Sequence, residues 1–167
     1  DRESLIDNVT KGGPEPAQWF SRPGLAGAPT MDSHPDAGIK YDPDAAVAEL
    51  QSYLDEKGLT AEELDLTLMF NTSSGHQQIA EAIQQMWKDV LGVDVKLANQ
   101  EWRVYLATIQ EDAPQIWRLG WCSDYPDANN FIKEVFGTGG YYDQTIGINS
   151  EEMDALLAQA ALESDLA

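Results

Sequence analysis

The chain has little sulfur and little positive charge. Cys122 is its single cysteine, so no internal disulfide can form, and no Cys/His cluster has the spacing of a zinc site. No stretch approaches the ~20 apolar residues of a membrane-spanning helix, and no signal-peptide pattern opens the chain. Only ten lysines and arginines stand against 29 aspartates and glutamates, giving a formal net charge of −19. So acidic a surface repels phosphate backbones, which argues against a nucleic-acid partner. Anionic membrane surfaces are disfavoured for the same reason. Catalytic motifs are also missing: there is no G-x-S-x-G elbow and no H-E-x-x-H. The glycine-rich Gly137-Thr138-Gly139-Gly140 lacks the Lys-Ser/Thr of a phosphate loop.

What is present suffices for a core. Of 167 residues, 43% are hydrophobic and 9% aromatic, which argues against disorder despite the charge. The length predicts a single domain over 1–167. The acidity suits a soluble, secreted monomer, and equally a salt-adapted source or a cationic ligand. The chain starts at Asp1 without Met and stops at Ala167 inside a helical pattern. That reads as an excised fragment, with any targeting signal outside it.

Apolar periodicity then lays out the elements. Residues 1–9 read as the tail of an amphipathic helix ended by Gly12 and Gly13, and 12–38 as a proline-rich loop pinned by Trp19 and Phe20. Asp42 or Asp44 caps a helix that has Pro43 in its first turn and stops at Gly58. Residues 64–70 alternate as a strand. Helix 76–91 follows, with Ser74 as a plausible cap and Ile79, Ile83, Met86, Trp87 and Val90 on one stripe. Strand 93–98, helix 102–110, strand 115–121, and helices 129–136 and 150–166 complete the reading. Alternating strands and helices predict an α/β fold, its mixed or parallel sheet covered by helices 76–91 and 150–165.

At residues 116–127 the chain resembles a known family. Arg118-Leu119-Gly120-Trp121-Cys122-Ser123-Asp124-Tyr125-Pro126-Asp127 resembles the "GW..DYPDP" segment of periplasmic peptide-binding proteins, the solute-binding components of ABC importers. Phe70-Asn71-Thr72-Ser73, Leu91-Gly92-Val93-Asp94-Val95, Asn99-Gln100-Glu101-Trp102 and Glu152-Met153-Asp154-Ala155-Leu156-Leu157 agree in order and spacing. The likeness spans nearly the whole chain and is greatest to the oligopeptide-binding branch. It implies most of the C-terminal lobe of a two-lobed protein with a type II periplasmic-binding fold, the other lobe being absent. It further implies a peptide ligand, a permease partner in the full-length protein, no cofactor, no catalysis, and a periplasmic or extracellular, membrane-associated location. Relatives on this fold also bind nickel complexes, glutathione or oligosaccharides.

The resemblance assigns roles residue by residue. Asp124 matches an aspartate that pairs with the peptide α-ammonium, and Arg118 an arginine that meets the C-terminal carboxylate. His76 matches a histidine that reaches the carboxylate of longer peptides. Trp102 and Trp121 match pocket-lining tryptophans, while Gly120 and Cys122 offer backbone groups to an extended peptide. The chain departs from the pattern at Ala128 for proline, Ile109 for an arginine, and Thr10 for a lysine, with Lys11 adjacent.

Read from the residues alone, each position has a plainer alternative. Asp124 is then a turn former, Arg118 an ordinary ion-pair member, and His76 a solvated first-turn residue. The tryptophans are then core, and Cys122 an inert thiol at a partly buried strand end. A different class of reading takes Asp124 and Asp127, with His76, as an acidic hydrolase site.

Overall fold

The computed structural model describes residues 1–25 and 28–163, and its chain forms two units. The first comprises Asp1–Pro16 and Lys40–Leu119, and the second Ala17–Ile39 and the residues from Gly120 onward.

In the first unit, the Asp1 carboxylate accepts the Ser4 N–H at 2.9 Å and caps α1 (Arg2–Leu5). A π-turn (Ile6–Thr10) continues it until Lys11 turns left-handed at φ 42°. The predicted helical tail is therefore present, ending at Lys11 rather than at the glycines. Helix α2 (Pro43–Lys57) starts where Asp42 accepts the Ala45 N–H at 2.9 Å, with Pro43 placed where its missing N–H costs nothing. It stops at Gly58, whose φ of 65° suits a residue without Cβ.

There follow β1 (Leu66–Asn71), α3 (Ser74–Leu91), β2 (Val95–Gln100), α4 (Trp102–Glu111) and β3 (Ile116–Trp117). Ser73, not Ser74, occupies the cap position of α3. The strands form a parallel sheet in the order β2-β1-β3. Leu66 to Asn71 stand opposite Val95 to Gln100, and Leu68 and Met69 stand opposite Ile116 and Trp117. Because β2 and β3 flank β1 on opposite sides, right-handed crossovers put α3 and α4 on opposite faces.

Burial agrees with that placement. Leu68 and Phe70 join Ala80, Val93 and Val95 in one buried cluster, with Ile83, Trp87 and Leu91 of α3 packed against it. Met69 points to the other face by strand alternation and is buried too, while α4 supplies the fully buried Tyr105 and Ile109. A strand covered on both faces reads as a continuous apolar run, as Leu68-Met69-Phe70 does.

Three expectations need correction. The strands predicted at 64–70 and 93–98 each begin two residues later, a shift that leaves the inward face unchanged. The strand predicted at 115–121 shrinks to Ile116–Trp117. The helix predicted to cover the sheet from 150 to 165 is Glu151–Ala160 and groups with the second unit, so α4 supplies the second cover. Residues 164 and 165 of that prediction lie outside the described ones.

The second unit holds α5 (Ala128–Phe136), α6 (Asp143–Ile146) and α7 (Glu151–Ala160) with the irregular segment before residue 40. That segment is pinned as expected. Phe20 meets Phe136 at a ring distance of 4.9 Å, and Trp19 packs so tightly on Gly38 that a Cβ there would sit 3.2 Å from its ring. Val135, Tyr142 and Asn130 are buried. The Thr138 N–H donates to the Asp154 carboxylate at 3.1 Å, tying the glycine-rich turn to α7.

Phe70 is 3% exposed at the centre of the first core. Replacing it by alanine should cost about 3–5 kcal/mol, read as a lowered urea midpoint. A loss under about 1 kcal/mol would contradict this core.

Candidate functional site

In open parallel sheets, ligands bind beyond the carboxyl ends of the strands, where neighbouring connections diverge to opposite faces. Here β1 leads into α3 and β2 into α4, and their last residues, Asn71 and Gln100, stand opposite each other in the register. Three sequence-predicted residues lie at this edge of the first unit: His76 in the first turn of α3, Trp102 at the start of α4, and Arg118 just past β3.

Arg118 is fixed through its backbone. Its N–H donates to the Met69 carbonyl at 2.9 Å, extending the β1–β3 ladder by one bond. Its own carbonyl accepts the Tyr105 hydroxyl in a short hydrogen bond, and the same hydroxyl lies 3.3 Å from the Met69 carbonyl. Burial pushes the Tyr105 phenol above its ordinary value of 10.0, so it stays a neutral donor. Arg118 as a whole is half-buried. Its Nη1 lies 3.5 Å from the Asn71 side-chain oxygen, and no carboxylate stands within ion-pair distance of it among the described residues. The ion-pair alternative for Arg118 is thus not met among the described residues.

Asn71 links two of the candidates, because its backbone carbonyl lies 3.4 Å from His76 Nδ1. Trp102 is 47% exposed and stacks on Tyr105 at a centroid distance of 6.2 Å. Its ring is therefore not core, and one end of it remains available.

The second unit carries the other candidates. Trp121 is half-buried, and its indole N–H donates to Asn130 Oδ1 at 2.8 Å. The same oxygen accepts the Asp124 backbone N–H at 3.2 Å. The Asp124 side chain is exposed, and its carboxylate has no hydrogen-bond or ion-pair partner among the described residues. Gly120 and Cys122 are exposed, and no backbone–backbone hydrogen bond involves residues 120–122 among those described. Cys122 was expected at a partly buried strand end. Its thiol is exposed instead, because the strand has already ended at Trp117. Asp127 is occupied otherwise than the hydrolase reading needs: its carboxylate accepts the Asn129 N–H at 2.8 Å and caps α5.

Sequence reasoning missed Asn71, Tyr105 and Asn130. Asn71 had a signal in its place, the polar residue closing an apolar strand. Tyr105 and Asn130 act through long-range or cross-loop hydrogen bonds that no local pattern encodes. Elsewhere in the first unit, a groove of about 490 Å³ opens between α1 and α3, lined by Leu5, Tyr41, Ile83 and Trp87 among others. It contains none of the candidate residues.

Residues 1–143 match the family described as bacterial extracellular solute-binding proteins, family 5, middle. The oligopeptide-binding protein OppA of Bacillus subtilis is 37% identical over 172 residues, covering 99% of this chain and 30% of its own length. The Escherichia coli murein tripeptide binding protein MppA superposes with a TM-score of 0.82 at 32% identity, covering 99% of this chain and 32% of the matched one. Haemophilus influenzae OppA in complex with RPPGFSPFR superposes at 0.80 with 25% identity, covering the same shares. The chain thus spans about a third of the length of the relatives it matches.

Replacing Tyr105 by phenylalanine leaves the Arg118 carbonyl without its donor, and should cost about 1–3 kcal/mol in thermal or urea unfolding. Above about pH 10 the unfolded chain ionises this phenol while the folded chain keeps the proton, so the tyrosine's contribution falls as pH rises. The stability gap between wild type and Tyr105→Phe should narrow there. A gap that widens above pH 10 would contradict the burial argument.

Proposed function

The chain belongs to the bacterial extracellular solute-binding proteins of family 5, and from that premise we propose that it supplies part of one lobe of a peptide receptor serving an ABC importer. A peptide with free ends carries an α-ammonium and a carboxylate, and fixing both ends leaves its side chains free to vary. Asp124 takes the ammonium and Arg118 the carboxylate. His76 assists with longer peptides, and Trp102 and Trp121 present apolar surface to side chains. The backbone at 120–122, without backbone–backbone hydrogen bonds among the described residues, offers strand-like bonds to an extended peptide, a contact that reads main chain rather than sequence.

The observation that carries this reading is the state of Arg118. In a chain of net charge −19, the half-buried Arg118 at the carboxyl edge of a parallel sheet stands without a carboxylate at ion-pair distance among the described residues. Arginine's planar fork suits a carboxylate ligand held by two bonds. Asp124, exposed and with no partner for its carboxylate among the described residues, is the complementary charge. The names of the relatives, oligopeptide- and murein-tripeptide-binding proteins, support a peptide ligand. The full-length protein works in the periplasm or outside the cell at the membrane, and the names of the Escherichia coli and Salmonella relatives support the periplasm. The protein acts there as a monomer that binds without turnover and delivers its ligand to a permease.

The test uses the full-length protein that carries this chain. Asp124→Asn should weaken binding of a free-ended peptide by about 2–5 kcal/mol in calorimetry, the cost of leaving a desolvated charge unpaired. It should leave the affinity for the N-acetylated peptide nearly unchanged. Equal affinity of wild type and variant for the free-ended peptide would refute the assignment.

A further inference from the structure

Asn130 is only 2% exposed, yet it is a polar side chain that reaches out of a helix toward a loop. It sits in the first turn of α5, after the Asp127 cap. Its Oδ1 accepts two donors at once, the Trp121 indole N–H at 2.8 Å and the Asp124 backbone N–H at 3.2 Å. Those donors lie three residues apart in a segment without regular secondary structure. Nothing in the ladder of a strand or helix fixes that segment, so its shape depends on side-chain bonds such as these.

We infer that Asn130 is a positioning residue for the peptide site, holding Trp121 and Asp124 in one fixed relation. The inference rests on the proposed role of Asp124. A carboxylate pairs well with an ammonium only if its direction is set before the ligand arrives, because ordering a free loop on binding offsets part of the gain. Asn130 sets that direction from the buried side. It takes up the backbone N–H and leaves the Asp124 carboxylate exposed and without a partner among the described residues. The same oxygen fixes the rotation of the Trp121 ring, which also meets Tyr141 at a centroid distance of 5.9 Å. The carboxylate and the aromatic surface are therefore placed by one atom. A neutral amide suits this role. It accepts two N–H groups without adding a buried charge.

The experiment compares full-length wild type with Asn130→Leu and Asn130→Asp. Each is titrated with one peptide in two forms, free α-amino and N-acetylated, and the Trp121 indole ¹⁵N–¹H resonance is recorded. Wild type should prefer the free amino form. Asn130→Leu should cut that preference by about tenfold, because the carboxylate loses its set direction, and should shift the indole resonance. Asn130→Asp keeps an oxygen at the same place and should retain most of both. If Asn130→Leu fails to fold, Asn130→Ala, which favours the helix, serves in its place with the same expected loss. A preference unchanged in Asn130→Leu or Asn130→Ala would overturn the inference alone, as would equal weakening of both peptide forms. A wild type without any preference would overturn the Asp124 assignment, and with it this inference.

Discussion

The carbonyl oxygen of Met69 ties the first unit's sheet to the edge where its strands end. It accepts the Arg118 N–H at 2.9 Å and has the buried Tyr105 hydroxyl 3.3 Å away. Strand β1 can present that oxygen reliably because it is central in the sheet and buried on both faces. Helix α4 enters the same arrangement through Tyr105, whose hydroxyl also takes the Arg118 carbonyl. A guanidinium is thereby held near the carboxyl ends of parallel strands by groups that are themselves core. Side chains on such a frame lose little entropy when they meet a ligand, since the frame is ordered beforehand.

Charge sharpens the point. Arginine in so acidic a chain has many carboxylates to choose from, and surface pairs form elsewhere at Lys57–Glu56, Lys88–Asp94 and Lys96–Asp65. Those pairs are exposed and contribute little. Among the described residues Arg118 stays out of this pairing, with the Asn71 side-chain oxygen beside its fork, His76 on the same asparagine, and the Tyr105 hydroxyl on its own carbonyl. Under the proposed function, this leaves the positive charge of Arg118 to a carboxylate ligand. Asp124 is the mirror case, its backbone held by a neutral amide and its carboxylate left open.

Much of this was legible in the chain itself. The stripe Ile79, Ile83, Met86, Trp87 and Val90 marked α3, and Asp42-Pro43 with Gly58 marked both ends of α2, because these signals are local. Strand starts were misplaced by two residues without changing which side chains face inward, since strand patterns repeat every two residues. The error at 115–121 has a physical cause. Its apolar run suits a strand, but the Arg118 carbonyl goes to the Tyr105 hydroxyl instead of the ladder, and pairing stops at Trp117. That bond joins residues 13 apart in sequence, and no periodicity reveals it. Asn130 escaped for the same reason, while Asp124 and Arg118 entered the proposal through a family motif that local patterning alone would have read as a turn and an ion pair.

The central claim is that two opposite charges grip the two ends of a peptide. It is tested most directly by calorimetric titration of the full-length wild-type protein with one tripeptide in two forms, free at both ends or acetylated and amidated. The account predicts that the free-ended form binds at least about a hundredfold tighter, the sum of two charge-assisted interactions of modest size. Equal affinity for the two forms would contradict it.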